Sequence, residues 1–308
     1  MDGFILYMKK RKPPYFFFFN EFVVFRYSKK TEIVNRENGT MIAELNVGNV
    51  SEAVYSSKHT KLFLKSISNG YLYVFDFNNK ELKKLFKISE YDKGIFLSYD
   101  ENTLVAYAIY GIIQTVSVDT LETALLTDER TQYFFFDAWD NPLLKCYEFF
   151  GRNSNILSLF LRLDYNGKII AEELVTLDSH EVICPCSKLS AEKNLYISQC
   201  RIKNISDSYE RTPDSIVTIT KSPNAYGNTD IILKGTYAGG CYYITQYRNY
   251  VFLSIGDKNI YVIDIDKKRI LKKYEIASTT TIAEYDPKRN ILFVSTGGGK
   301  VHILEDVL

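Results

Sequence analysis

Residues Tyr250–Ile276 read YVFLSIGDKNIYVIDIDKKRILKKYEI. Val251, Leu253 and Ile255 alternate with Phe252 and Ser254, the period of two that a strand imposes on its side chains. Gly256-Asp257-Lys258-Asn259 carries turn chemistry. Ile260–Ile265 is β-branched and aromatic, as a strand covered on both faces requires. Asp266-Lys267-Lys268 turns the chain again, and Arg269–Ile276 alternates apolar with charged residues. The stretch is three short strands joined by two tight turns.

The same phrase recurs along the chain. Its third-strand ending is Asn35 in EIVNRENG, Asp76 in YLYVFDFNNK, Asp119 in QTVSVDTLE, Asp164 in LFLRLDYNGK, Asp264 in IYVIDIDKK and Glu305 in VHILED, with a weaker copy in SIVTITK around Ile219. Asn35 to Glu305 is 270 residues in six steps, or 45 residues per step. Four-stranded units at a period of ~40–50 residues mark a β-propeller. The expectation is therefore all-β: a single seven-bladed β-propeller domain over residues 1–308, with four-stranded antiparallel blades at about 15–45, 51–88, 93–128, 132–176, 181–235, 240–276 and 281–306. The last unit supplies only three strands, and the apolar run Phe4–Met8 has no place in the first blade. This predicts that Phe4–Met8 is a strand that pairs with Lys300–Asp306, completes blade seven and removes an open sheet edge.

IGDKNIYVIDIDKKRILKKYEI is similar to the YVTN family of bacterial propeller repeats, in which a strand and a small-residue turn with Asn lead into Val-Ile-Asp and a charged turn. SISNGYLYVFDFNNKELKKLFKI fits the same phrase. The chain is also WD-repeat-like in its period, but it has no Gly-His pair. Its one Trp-Asp pair, Trp139-Asp140, ends a first strand, where that motif does not belong. The resemblance implies a propeller fold and, as in most such propellers, an interaction platform rather than an enzyme.

Composition narrows the function further. A formal net charge of +1 gives no electrostatic case for nucleic acid or an anionic membrane. Neither Phe4–Met8 nor Tyr15–Phe19 is long enough to cross a bilayer, and no secretory pattern is visible. With five cysteines at irregular spacing, this reads as a cytoplasmic protein with reduced thiols and as a monomer. His59, His180 and His302 fall in blades two, five and seven, too dispersed for a His-based metal site. Cys184 and Cys186 share a strand face and are the one metal-binding alternative. Their bland reading is that of small buried hydrophobes, so no cofactor is expected. The recurrent carboxylates Asp76, Asp119, Asp164 and Asp264 read as turn-forming hydrogen-bond acceptors rather than a catalytic ring. No Ser-His-Asp order, phosphate loop, HExxH or EF-hand pattern occurs.

The repeat departs from itself in one place. Most second-to-third-strand connections are about three residues, but Lys203–Pro213 inserts eleven in blade five, with Tyr209 and Arg211. Arg152 in blade four, His180 and Tyr237 belong to the same loop face. Per-repeat insertions map to one face, often the binding face, and Tyr and Arg are favoured at binding hot spots. The sequence thus points to a non-catalytic scaffold that binds a protein or peptide through Arg152, His180, Tyr209, Arg211 and Tyr237. The alternatives are a propeller enzyme, such as a lactonase-like hydrolase or an isomerase, and a small-ligand sensor.

Overall fold

The computed structural model describes residues 2–11, 13, 15–88, 92–108, 112–127, 133–153, 158–175, 186–190, 195–202, 214–220, 231–236, 243–255, 257–276, 278, 280–297 and 300–308. Among these, 27 strands form seven sheets, each an antiparallel meander in chain order. The first contains Tyr15–Phe18, Phe22–Arg26, Thr31–Asn35 and Met41–Leu45. The second contains Val50–Ser56, Lys61–Ser66, Tyr71–Asp76 and Glu81–Lys87, and the third Asp92–Leu97, Thr103–Ala108, Ile113–Ser117 and Thr123–Thr127. The fourth contains Tyr133–Asn141, Cys146–Asn153, Ser158–Asp164 and Ile169–Val175, and the fifth Cys186–Ser190, Leu195–Ile202, Asp214–Thr220 and Ile231–Thr236. The sixth contains Tyr243–Tyr247, Tyr250–Ser254, Asn259–Asp264 and Arg269–Glu275. The seventh has three strands, Thr280–Asp286, Ile291–Thr296 and Val301–Glu305. The chain groups into two compact units, one of residues 1–49, 200–219 and 230–308, the other of residues 50–199 and 220–229.

In the second unit, strand alternation produces the stacking. Leu104 and Ala106 pack with Phe63, Leu72 and Val74 of the second sheet. Their neighbours Val105 and Tyr107 point the other way, into Tyr133, Phe135 and Phe149 of the fourth. A strand buried on both faces must be apolar at every position, which is why TLVAYA shows no polar alternation. In the first unit, Leu292 and Val294 pack with Phe252, Ile260 and Val262 of the sixth sheet. Ile291 and Phe293 face Phe16, Val23, Phe25 and Val34 of the first. The strand-ending Asx residues form turns as expected. Asp76 Oδ1 accepts the Asn78 N–H at 2.9 Å, Asp164 Oδ1 those of Asn166 and Lys168, and Asp264 Oδ1 that of Lys267. At the third unit the acceptor is instead Ser117 Oγ, which takes the Thr120 N–H.

The amino-terminal expectation is corrected. Phe4–Met8 is not a strand and does not pair with the seventh sheet: residues Gly3–Arg11 form an α-helix. Asp2 is its N-cap, with Oδ1 accepting the N–H groups of Phe4 and Ile5 at 2.9 and 3.2 Å. Lys9, Lys10 and Arg11 in the last turn complement the helix dipole. Phe4 and Met8, one turn apart, are the buried stripe, set between the first and seventh sheets. A five-residue apolar run has no readable period, and the deciding cap lies before it. No helix among the described residues is long and apolar enough to cross a membrane.

The helix docks at contact distance. A Cβ on Gly3 would lie 2.3 Å from the Asn38 carbonyl oxygen, and one on Gly39, at φ +75°, 2.6 Å from that of Gly3. Alanine is a better helix former than glycine by about 1 kcal/mol, so Gly3→Ala would stabilise an undocked helix. In the docked one it should instead lower the melting temperature. Leu6→Ala, at a position half exposed, should change stability by no more than about 0.5 kcal/mol. A thermal melt of the two variants against the parent checks both.

Candidate functional site

Of the residues that the sequence singles out for binding, the structure describes the backbone of Arg152 alone. It sits in Cys146–Asn153, in register with Phe134 and Ser158. His180, Tyr209, Arg211 and Tyr237 lie outside the described residues, as does Cys184. Cys186 opens the strand Cys186–Ser190 opposite Ser198, and its side chain is likewise outside them. Of the other named histidines, His59 Nε2 meets Asn102 Oδ1 at 3.3 Å, and His302 lies on Val301–Glu305. No group of three potential metal ligands occurs among the described residues.

A cleft lies in the first unit, away from the residues that the sequence singles out for binding. It has a volume of about 560 Å³ and is lined by Asp2, Arg36, Lys288, Arg289 and the Asn20-Glu21 and Asn35–Glu37 turns. Its floor is a chain of alternating charges. Asp286 is fully buried. Arg36 reaches it with Nη2 at 2.9 Å and Nε at 3.4 Å, and Arg289 Nη1 donates to it at 2.7 Å. Arg289 Nε donates to Asp2 Oδ2 at 2.7 Å, and its Nη2 to the carbonyls of Arg36 and Glu37 at 3.1 and 3.2 Å. Arg36 Nη1 donates to the Phe19 carbonyl at 3.0 Å. The guanidinium of Arg36 also lies 4.9 Å from the Phe18 ring centroid, and that of Arg289 lies 5.4 Å from that of Phe4.

Behind the helix a second buried carboxylate repeats the device. Glu32 accepts from Tyr7 Oη and pairs with Lys30 at 2.8 Å. Burial alone would push the Glu32 carboxyl up. The bonds from Lys30 and Tyr7 outweigh it and leave the carboxyl below its usual range. Burial and the Glu32 bond together hold the Tyr7 phenol well above its usual range, so it stays a donor. Asp2 is held low chiefly by the hydrogen bond from Arg289.

Chemically, this cleft is a joint. Arg36, Asp286, Arg289 and Asp2 bind one another and the adjoining backbone, which ties the first sheet, the seventh and the helix together. Two signals in the sequence could have revealed it: the Asp286/Arg289 spacing in YDPKRN, and an arginine following the Asx residue in NRENG, where the other units have none. In the second unit, carboxylates at the corresponding strand ends act alike. Glu101 accepts from Ser56 Oγ and the Lys58 N–H, both at 2.9 Å. Asp140 accepts the Tyr99 N–H at 2.7 Å and Tyr165 Oη at 2.9 Å.

No family model matches the chain, and no curated protein sequence matches it either. Its fold is similar to several solved structures. A hydrazine synthase of Kuenenia stuttgartiensis aligns with a TM-score of 0.72 at 10% identity over 93% of each chain. The Swd1 β-propeller domain of Myceliophteria thermophila aligns at 0.63 and 11% identity over 92% of each. The dihydro-heme d1 dehydrogenase NirN aligns at 0.61 and 12% identity, over 92% of this chain and 61% of that one. These likenesses show the fold: the chain is a β-propeller.

Because Asp286 is buried between two guanidiniums, Asp286→Asn leaves both cations under-compensated. It should cost about 3–5 kcal/mol, the usual penalty for breaking a buried pair from one side, read as a lower melting temperature. Asp2 and Glu32 are both held below their ordinary carboxylate values. Their contributions are therefore complete above the unfolded pKa values of about 4 and lost as pH falls through the lower folded ones. Acid titration of stability should show this loss below about pH 4, and Asp2→Asn should diminish it.

Proposed function

We propose that the protein is a non-catalytic binding scaffold: a single seven-bladed propeller of YVTN-like repeats over residues 1–308, working as a cytoplasmic monomer without a cofactor. Its recognition surface is the loop face over the fourth to sixth blades, and its ligand is a protein or peptide. The observation that carries this reading is the eleven-residue insertion Lys203–Pro213, set in a repeat whose corresponding connections are about three residues long. Insertions in a repeat map to its loops, where binding residues are disproportionately found. Tyr209 and Arg211 supply anchor chemistry, and Arg152, His180 and Tyr237 extend the surface.

Two features support the assignment. The strand-end carboxylates are engaged as turn acceptors and inter-sheet joints, which accounts for them without catalysis. The two arginines of the described cleft, in turn, are committed to Asp286 and Asp2. A propeller fold is compatible with both binding and catalysis, since the similar structures include a hydrazine synthase and a dehydrogenase beside the Swd1 domain. Only the site can therefore decide between them.

The triple variant Arg152→Ala, Tyr209→Ala, Arg211→Ala should keep the parent's melting temperature to within a few degrees. It should lose most of the partner that the parent captures from its native host, measured by quantitative affinity capture. Undiminished capture would move the binding surface to the opposite end of the strands. One equivalent of tightly bound metal in the purified protein would favour an enzyme instead.

A further inference from the structure

Among the described residues the seventh sheet has three strands. In the other six, a fourth strand covers the outer edge of the third. Among the described residues no strand lies beside Val301–Glu305 on its outer side. The segment expected there, Phe4–Met8, is committed elsewhere. It is helical, capped by Asp2, and held against the sheet faces by Phe4, Met8 and Tyr7.

The backbone of this edge can be resolved residue by residue. The Thr296 N–H donates to the Lys300 carbonyl at 3.0 Å, and the register runs unbroken from Ser295↔Val301 to Ile291↔Glu305. Antiparallel pairing alternates, so Lys300, His302 and Leu304 bond inward to Ile291–Thr296. Val301, Ile303 and Glu305 then turn their N–H and C=O groups outward. The side chains carry the same signature. Third strands such as Asn259–Asp264 are buried, and fourth strands such as Arg269–Glu275 are mostly exposed. Val301–Glu305 lies between the two, with its first four residues half-buried. His302 Nε2 is buried there and has no hydrogen-bond partner among the described residues. This is a third strand that lacks its cover.

We infer that the outer edge of Val301–Glu305 is a docking site for an extended segment of another polypeptide, added as an antiparallel fourth strand. The complete sheets indicate its chemistry. In the sixth sheet Asp264 faces Arg269 at the start of the fourth strand, and Asn259 faces Glu275 at its end. The vacant edge has Glu305 and Asp306 at one end and Lys300 at the other. A complementary strand therefore begins with a basic residue opposite Glu305, alternates apolar with polar positions, and ends with an acidic residue near Lys300. Main-chain hydrogen bonds to Val301, Ile303 and Glu305 supply affinity, and the charges fix direction and register. This inference does not rest on the loop-face reading, and either can fail without the other.

The chain's own fourth strand supplies a probe, the peptide RILKKYEI of residues 269–276. Full-length protein is followed by hydrogen exchange at residue resolution, with and without this peptide. The amides of Val301, Ile303 and Glu305 should exchange rapidly in the free protein and at least about tenfold more slowly with saturating peptide. Two peptides N-methylated on complementary alternate residues give the specific control, because only one edge of an added strand pairs. One should lose at least about tenfold in affinity and the other should bind like the parent. Equal binding by both would overturn the assignment, as would no binding at millimolar peptide. Protection of the three amides that is present without peptide and independent of protein concentration would also overturn it, whereas protection that grows with protein concentration would support the site with a second copy of this chain as its occupant.

Discussion

A carboxylate with no exposure to water holds the termini of this fold together. Asp286 would be strongly destabilising alone, since moving an ion of its size out of water costs several kcal/mol even after relaxation. It is tolerated because two guanidiniums pair with it, and because other N–H groups of theirs go to the carbonyls of Phe19, Arg36 and Glu37 and to Asp2. The consequence is geometric. Arg36 follows the third strand of the first sheet, Asp286 ends the first strand of the seventh, and Asp2 begins the helix. Asp2 divides its two oxygens between tasks, one capping the helix and the other binding Arg289. Helix formation and helix docking therefore share a residue.

The rest of each unit follows from apolar stacking corrected at strand ends by charge. Hydrophobic contact between sheets has no direction of its own. Alternating large side chains limit how two sheets slide, and the carboxylates of Glu101 and Asp140 fix the strand ends of one sheet to backbone N–H groups of its neighbour. Loops at that end are thereby committed to structure.

The helix and the open edge of the seventh sheet are two sides of one outcome. A segment that caps and docks as a helix satisfies its own backbone and cannot also satisfy that of Val301–Glu305. Burial of Phe4 and Met8 against Phe25, Phe293 and their neighbours favours the helix, and the edge is left with outward-facing N–H and C=O groups. Exposed edges of this kind are normally covered or broken by charge. Here Lys300 and Glu305 flank Val301, His302, Ile303 and Leu304.

The sequence by itself determined what is local and periodic. Strand alternation, turn residues and the 45-residue recurrence were enough to place the strands, and the recurrent Asx residues announced their turns, because each depends on neighbours within a few positions. That the last unit shows three strands among the described residues was legible in the same way. What Phe4–Met8 forms was not. Phe4–Met8 is apolar enough for a strand or a helix, and only the Asp2 cap together with a pocket built from two sheets distant in sequence selects the helix. The charge joint was hidden for the same reason: Arg36 and Asp286 lie 250 positions apart, and no local pattern couples them. Tertiary structure decided these features because buried charge and helix docking are settled by which chain segments meet, and a linear sequence states only which residues are available to do so.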